Sequence, residues 1–133
     1  MALQYSTTVR NNQLDQVEST TGTSAKLRVL TGSAPANCAA AETGTLLVQM
    51  ELASDWMAAA GSGSKAKAGT WSDTADGGSA STPGYFRIVD NAGTTCHVQG
   101  TAGIGSGDLS FDGTITAGQT VTVNTFTLNA GNA

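Results

Sequence analysis

Charged side chains are scarce in this sequence of 133 residues. Asp, Glu, Lys and Arg make up 12% of it, about half of the quarter or so that is usual in soluble domains. The six basic residues are scattered and the formal net charge is −4, so they cannot line the dense phosphate track that a nucleic acid requires. We therefore expect no nucleic-acid partner. Lys65 and Lys67, in a Gly/Ser-rich segment, are interpreted as a solvated turn.

Long apolar runs are missing as well. No stretch approaches the roughly 18 apolar residues of a membrane span, and the first twenty residues lack the basic and apolar regions of a signal peptide. We expect no membrane partner and assembly in a cytoplasm. In that reducing compartment, Cys38 and Cys96, which have no CxxC spacing, are interpreted as buried free thiols, with a disulfide as the alternative.

Patterns for catalysis or metal binding are not found. The single histidine, His97, follows Cys96 on a predicted strand, where neighbouring side chains point to opposite faces. The two can neither chelate one metal nor act as a nucleophile and its base. The ten carboxylates lack calcium-loop spacing, and those at strand ends or in loops are interpreted as turn residues. The sequence predicts no enzyme, no cofactor and no metal site.

The helix and strand signals are unevenly distributed. One helix is predicted from Ser6 to about Thr20, with Ser6 or Thr7 as its N-cap and Gly22 as its stop. A single helical turn, capped by Ser54, is predicted at "SDWMAAA", followed by a short strand around residues 66–71 and a long loop. Strands are predicted at "KLRVL", "TLLVQMEL", "YFRIVD", "TTCHVQG", "DLSFDGTI" and "TVTVNTFTLN". Glycine turns separate them, at "NAG", "GIGSG" and "AG".

These seven or eight short strands predict an all-β fold. We expect an antiparallel β-sandwich or jelly roll with a short N-terminal helix. Residues 1–133 would form a single domain, with 1–22 as the N-terminal arm and helix and 23–133 as the β-sandwich.

The apolar alternation of the last strand slips by one position. Val121 and Val123 lie on one face of "TVTVNTFTLN", whereas Phe126 and Leu128 lie on the other. A β-bulge or twist at 124–125, or a strand that crosses from one sheet to another, would produce this slip. Its threonine-rich polar side is free for a protein neighbour.

Aromatic residues make up only 5% of the sequence, so each one is a candidate for a core or interface position. Trp56, Trp71, Tyr5 and Tyr85 are interpreted first as core anchors. The alternatives are a stacking platform for a sugar or an anchor at a protein interface, where Trp and Tyr are enriched. Together with Arg10, these four residues are the candidates for a protein interface.

A resemblance to known proteins rests on four stretches. They are "MALQYSTTVRNNQLDQVESTTGTSAKLRVLTGSAPANCAAAETGTLL", "SDWMAAAGSGSKAKAGTW", "GYFRIVDNAGTTCHVQG" and "ITAGQTVTVNTFTLNAGN". Over essentially the whole chain, this framework resembles small proteins encoded among the structural genes of tailed bacteriophages and prophages of proteobacteria. The resemblance implies a structural virion protein and supplies no catalytic residues.

We therefore expect a head decoration (cement) protein that binds the major capsid protein in the virion. The N-terminal helix, or the arm before it, is the first choice for the contacting segment. A tail, fibre or baseplate accessory protein is the first alternative, and a carbohydrate-binding module for host glycans is the second. A homo-oligomer would bury unpaired strand edges.

Overall fold

A computed structural model describes residues 2–76 and 79–133. Within these ranges the chain forms one helix and nine strands. They are α1 (Thr7–Thr21), β1 (Lys26–Leu30), β2 (Leu46–Glu51), β3 (Ser64–Ala66), β4 (Trp71–Thr74), β5 (Tyr85–Val89), β6 (Cys96–Ile104), β7 (Leu109–Phe111), β8 (Thr120–Val123) and β9 (Thr127–Asn129). None of the described helical structure has the length and apolar character that a membrane crossing requires.

The strands form a five-stranded sheet and two ribbons of two strands each. The order in the sheet is β2-β1-β5-β6-β7, and the ribbons are β3-β9 and β4-β8. The fold is thus mostly β with an N-terminal helix, as the sequence predicts. The prediction of a purely antiparallel arrangement is wrong, because β6 and β7 are parallel, and a sandwich or jelly roll is not confirmed.

The parallel pair comes from the glycine turn between β6 and β7. Only four residues link the strands, although parallel neighbours usually need a connection of about a dozen or more. Gly105 and Gly107 both have left-handed backbones, with φ of 67° and 90°, so the chain coils fully round and resumes its direction. The Asp108 carboxylate closes this coil by accepting hydrogen bonds from the Thr101 amide and hydroxyl, both at 3.0 Å.

Helix α1 begins and ends close to the predicted positions. The Ser6 hydroxyl caps it by accepting a hydrogen bond from the Val9 amide, and Gly22 ends it with φ of 92°. The helical turn predicted at "SDWMAAA" is wrong. There Met57 pairs with Lys67 as an isolated β-bridge, and the Ala58 amide donates to the Ala66 carbonyl at 2.8 Å. Strand-like pairing thus takes the backbone groups that a helical turn would have used. The predicted strand at 66–71 is two strands, β3 and β4.

The hydrophobic core is crossed by a row of four aromatic rings. Trp56 contacts Trp71 with 6.1 Å between ring centroids, Trp71 contacts Phe126 at 5.3 Å, and Phe126 meets Phe86 edge-on at 5.8 Å. Phe86 belongs to the sheet, Trp71 to a ribbon, and Phe126 to the link between the ribbons. The row therefore ties the sheet to both ribbons.

The slip in the last strand is a crossing between the two ribbons. β8 pairs with β4, the chain then leaves that ribbon, and β9 pairs with β3. Val121, Val123 and Phe126 are all buried, although Phe126 is out of phase with the two valines. Of the predicted causes, the strand crossing is confirmed.

A row of polar side chains crosses the outer face of the sheet. Neighbouring strands place its members opposite one another, in the order Gln49, Arg28, Arg87 and Gln99. Arg28 hydrogen-bonds Gln49 and forms a bidentate pair with Glu42, at 2.7 and 2.8 Å. Arg87 is only 4% exposed and donates to the Gln99 side chain at 2.9 Å. Two adjacent arginines are tolerated here because each has its own acceptors.

Residues 31–45 fold over this row, and we name them the covering segment. Arg87 donates to the backbone carbonyls of Asn37 and Ala40, at 3.2 and 2.8 Å. The Tyr85 hydroxyl donates to the Thr43 carbonyl at 2.6 Å and accepts from the Thr43 amide at 3.0 Å. Backbone groups of the covering segment are therefore satisfied by side chains of the sheet.

Gly84 lies where two backbone segments pass close together, and replacing it should be costly. A Cβ atom on Gly84 would lie 1.9 Å from the carbonyl oxygen of Gly32, which cannot move without shifting the chain. We expect Gly84→Ala to lower the free energy of unfolding by about 1–3 kcal/mol in urea titration. Gly113→Ala is the matched control, because nothing lies within 4 Å of that site. Equal losses in the two variants would contradict the close approach.

Candidate protein-interaction surface

Three of the five candidate interface residues lie in the interior. Trp56, Trp71 and Tyr85 are each 0% exposed. Their polar atoms are satisfied internally, since the indole N–H groups donate to the carbonyls of Gly22 and Ala68, at 2.9 and 3.2 Å. The interpretation as core anchors is confirmed for Trp56 and Trp71, which belong to the hydrophobic core cluster, whereas Tyr85 is buried on the outer face of the sheet beneath the covering segment. As interface anchors or a sugar-stacking platform they do not fit, because a partner cannot reach them.

Tyr5 and Arg10 keep part of their surface. The Tyr5 amide donates to the Asn132 carbonyl at 2.7 Å, so the N-terminal arm lies beside residues close to the other end of the chain. The guanidinium of Arg10 lies on Gly63, where a Cβ atom would come within 2.0 Å of Nη1. The side chain of Arg10 is therefore half-buried where α1 contacts the loop before β3. The Tyr5 side chain is also partly exposed.

Helix α1 is attached to the body by polar side chains. Asn11, Asp15 and Glu18 share one face of the helix and accept hydrogen bonds from the amides of Gly63, Ala60 and Met57, at 2.9, 3.0 and 3.4 Å. Only Leu14 and Thr21 of the helix are buried. The helix therefore buries little apolar surface, and a polar stripe that includes the carboxylates of Asp15 and Glu18 supplements its attachment.

Lys65 lies beneath this stripe, and its interpretation as part of a solvated turn is wrong. It is 3% exposed, and its ammonium group contacts Asp15 at 2.7 Å, Glu18 at 3.0 Å and the Ala58 carbonyl at 2.8 Å. Burial acts to lower the pKa of Lys65, but the hydrogen bonds and charges of the two carboxylates outweigh it and raise the pKa. All three ammonium hydrogens have an acceptor, so the group holds the helix in place and has no donor left for a substrate.

A cavity of about 450 Å³ adjoins this cluster, lined by Asp15, Glu18 and Lys65 among others. The hydrogen bond from Lys65, followed by that from the Ala60 amide, lowers the pKa of Asp15. Both carboxylates beside the cavity are therefore engaged with the lysine. Among the described residues, no group of three or more His, Cys, Asp or Glu side chains is arranged to hold a metal ion.

The predicted turn role of loop aspartates is confirmed at Asp90. Its carboxylate accepts hydrogen bonds from the amides of Thr94 and Thr95, at 2.8 and 3.1 Å, and so closes the β5–β6 hairpin. These amide hydrogen bonds, of which that from Thr95 has the larger effect, lower the pKa of Asp90.

His97 lies at a β-bulge in the same strand pair, where the register shifts between Ile88 and Val89. There it lines a shallow cavity beside α1.

A polar surface without charged side chains belongs to the C-terminal strands. We name it the threonine face and define it by its exposed residues, Thr120, Thr122, Asn124, Thr125, Thr127 and Asn129. The sequence has no Asp, Glu, Lys, Arg or His after Asp112. Two hydrogen bonds stabilise the face: one joins the hydroxyls of Ser72 and Thr122 at 2.9 Å, and in the other the Ser64 hydroxyl donates to the Asn129 side-chain carbonyl at 2.6 Å.

Two small clefts lie beside the threonine face, between β7 and β8. Their volumes are about 240 and 250 Å³, and both are lined by Phe111, Asp112, Thr122 and Asn124. β7 and β8 belong to different sheets, and each has a single strand partner within the described ranges. Each therefore presents one edge whose backbone groups can bind a neighbouring chain.

Exposed apolar side chains are found elsewhere. Among the described residues, the large ones are Leu3, Val9 and Ile104, with exposed fractions of 68%, 41% and 42%. Two of the three belong to the N-terminal arm and the start of α1. The arm thus carries apolar contact groups, whereas the threonine face carries polar ones.

Comparisons with known proteins give no relative from which a role could be transferred. Neither a scan of protein-family models nor searches of curated proteins and of solved structures return a match to this chain.

Proposed function

We propose that this protein is a non-enzymatic structural component of a tailed-phage virion, most specifically a decoration protein on the outside of the head. The first support is the resemblance of the sequence framework to small phage structural proteins. The observation that carries the proposal is the threonine face, an uncharged and hydrogen-bonding surface next to two strand edges. We propose the major capsid protein as its partner.

A surface of this kind suits weak contacts that are repeated many times. Hydroxyl and amide groups give hydrogen bonds that depend little on salt, because no ion pairs are involved. Each contact can be weak when a capsid lattice presents many copies, since multivalency raises the overall avidity. Oligomerisation through the free edges of β7 and β8 would add to this effect. We also propose that the five-stranded sheet and the two ribbons pack as a β-sandwich or jelly roll.

The proposal is tested by adding the purified protein to expanded capsids that lack it. We expect saturable binding that persists in high salt, and a copy number on the order of hundreds per particle in virion mass spectrometry, as lattice symmetry requires. A failure to bind, together with only a few copies per virion, would refute a decoration role. A few dozen copies would instead favour the tail, fibre or baseplate.

Two surface variants identify which segment makes the contact. Thr122→Arg places a charge in the middle of the threonine face and should weaken capsid binding at least about tenfold, because the cation loses solvation without gaining a partner. Ala92→Arg is the control, since Ala92 is exposed in the β5–β6 turn of the sheet, whereas the strands of the threonine face belong to the two ribbons. Loss of binding in Leu3→Asp but not in Thr122→Arg would move the contact to the N-terminal arm.

A further inference from the structure

Two cysteines meet at the place where the covering segment lies on the sheet. Cys38 belongs to the covering segment and Cys96 is the first residue of β6, 58 positions later in the chain. Their sulfur atoms are 2.8 Å apart, and both side chains are half-buried. A disulfide bond requires about 2.05 Å, so the sulfurs need to approach by less than about 1 Å.

The backbone around Cys38 is fixed on both sides. The Asn37 side chain accepts hydrogen bonds from the amides of Ala39 and Ala40, at 2.9 and 3.0 Å. Arg87 binds the carbonyls of Asn37 and Ala40, so it holds the chain one residue before and two residues after the cysteine. The sulfur of Cys38 is therefore presented to Cys96 by contacts that do not involve the sulfur itself.

The bulge in β6 turns Cys96 toward the covering segment. The strict alternation on which the sequence analysis of Cys96 and His97 relies would place Cys96 and Val98 on the same face. The register shift between Ile88 and Val89 breaks the alternation, so Val98 packs against the core while Cys96 contacts Cys38. The bulge thus has a chemical consequence, because it brings two thiols together.

We propose that Cys38 and Cys96 are an oxidisable thiol pair that closes to an intramolecular disulfide and locks the covering segment onto the sheet. The oxidant is a small-molecule disulfide of the glutathione class. The Cys38 thiolate attacks it, forming a mixed disulfide and releasing one thiol. Cys96 then loses its proton to water and attacks the Cys38 sulfur, which releases the second thiol. Two electrons pass from the cysteines to the oxidant.

The order of attack follows from the surroundings of Cys96. Burial, followed by the hydrogen bond with Cys38, raises the pKa of Cys96 to about 12. This thiol remains protonated at neutral pH and reacts slowly with an external oxidant. Within the mixed disulfide its target is adjacent, so proximity compensates for its low acidity. The pair would remain reduced in a cytoplasm and close outside the cell. The proposal does not depend on the proposed function.

The test exposes the folded, fully reduced chain to oxidised glutathione and measures its intact mass. We expect the loss of two hydrogen atoms, and a tryptic digest in which peptides 29–65 and 88–133 are linked. Cys96→Ser should stop at the mixed disulfide and gain the mass of one glutathione. Addition of two glutathiones to the wild type, an unchanged mass, or a disulfide-linked dimer on a non-reducing gel would each overturn the proposal.

A second measurement tests whether the disulfide locks the segment. The oxidised wild type should unfold at a midpoint at least about 5 °C above that of the reduced protein, because the bond closes a long loop. Cys38→Ser, treated in the same way, should show no such rise. If the Cys38–Cys96 disulfide forms but the midpoint of thermal unfolding does not rise, the disulfide does not lock the covering segment onto the sheet.

Discussion

Replacing Trp71 with alanine is expected to lower the free energy of unfolding by about 3–5 kcal/mol. The side chain is 0% exposed and lies between Trp56 and Phe126 in the aromatic row. Its removal leaves a cavity where the sheet and both ribbons meet, and it separates Phe126 from its neighbour. Since small domains are stable by only about 5–15 kcal/mol, the variant loses a large fraction of its stability.

Urea unfolding followed by far-ultraviolet circular dichroism measures this loss. Tyr5→Ala is the matched control, since it also removes an aromatic ring, but a half-exposed one whose residue is bound through its backbone amide. We expect that control to stay within about 1 kcal/mol of the wild type. Similar losses in both variants would contradict a central role for the aromatic row.

Replacing Lys65 with methionine should have the second-largest effect, about 3 kcal/mol. The substitution keeps the length of the unbranched apolar stem but removes the cation from Asp15 and Glu18. The Glu18 side chain is 19% exposed and cannot be fully rehydrated, whereas Asp15, at 45%, recovers more of its hydration. We therefore expect the lower end of the range measured for broken buried pairs. The helix should loosen first, which the fluorescence of Trp56 reports through its bond to Gly22.

A surface ion pair provides the comparison for Lys65. Lys26 contacts Glu51 at 3.5 Å, and the glutamate side chain is 66% exposed. Exposed pairs contribute little, so Lys26→Met should cost less than about 1 kcal/mol. If the two lysine variants were equally stable, the buried cluster would not be what holds α1.

The same cluster predicts how stability depends on pH. The pKa of Asp15 is lowered from 3.8. The contribution of Asp15 to the free energy of unfolding is therefore present above that value and is lost as the pH falls through the folded pKa. The pKa of Lys65 is raised from 10.5, so its contribution is present below that value and is lost as the pH rises through the folded pKa. Lys65→Met should show a flatter dependence at both ends. An unchanged profile would contradict the coupling.

Local signals in the sequence predict much of the fold. Ser6 and Gly22 set the ends of α1 because capping and left-handed conformations depend on residue type alone. Strand β1 lies where "KLRVL" alternates, and the hairpin after β5 turns at Gly93, whose φ is 75°. The parallel β6–β7 pair was missed because glycines in "GIGSG" permit a reversal or a full coil equally well. The hydrogen bonds that the Asp108 carboxylate accepts from Thr101, seven residues earlier, stabilise the full coil, and the glycine spacing does not reveal them.

The site was harder to predict, for a physical reason. Burial of Trp56 and Trp71 matches the general preference of large aromatic rings for the core. For Lys65 the sequence indicated an exposed side chain, because lysine in a Gly/Ser-rich segment is ordinarily solvated, whereas the structure buries it. Its partners come from a helix 50 residues earlier, and the one available signal was the spacing of Asp15 and Glu18 on a single helical face. The contact between Cys38 and Cys96 depends on a bulge, which alternation alone cannot reveal.

The crossing strand also determines when the protein can fold during synthesis. β4 pairs with residues 50 positions later, as Ser72 does with Thr122, and β3 pairs with residues 65 positions later, as Ser64 does with Asn129. Neither ribbon can form until residues 120–129 have emerged from the ribosome. Until then Trp71 lacks its Phe126 neighbour, and the nascent chain exposes apolar surface that chaperones recognise. Translation must therefore reach these residues before the core can close.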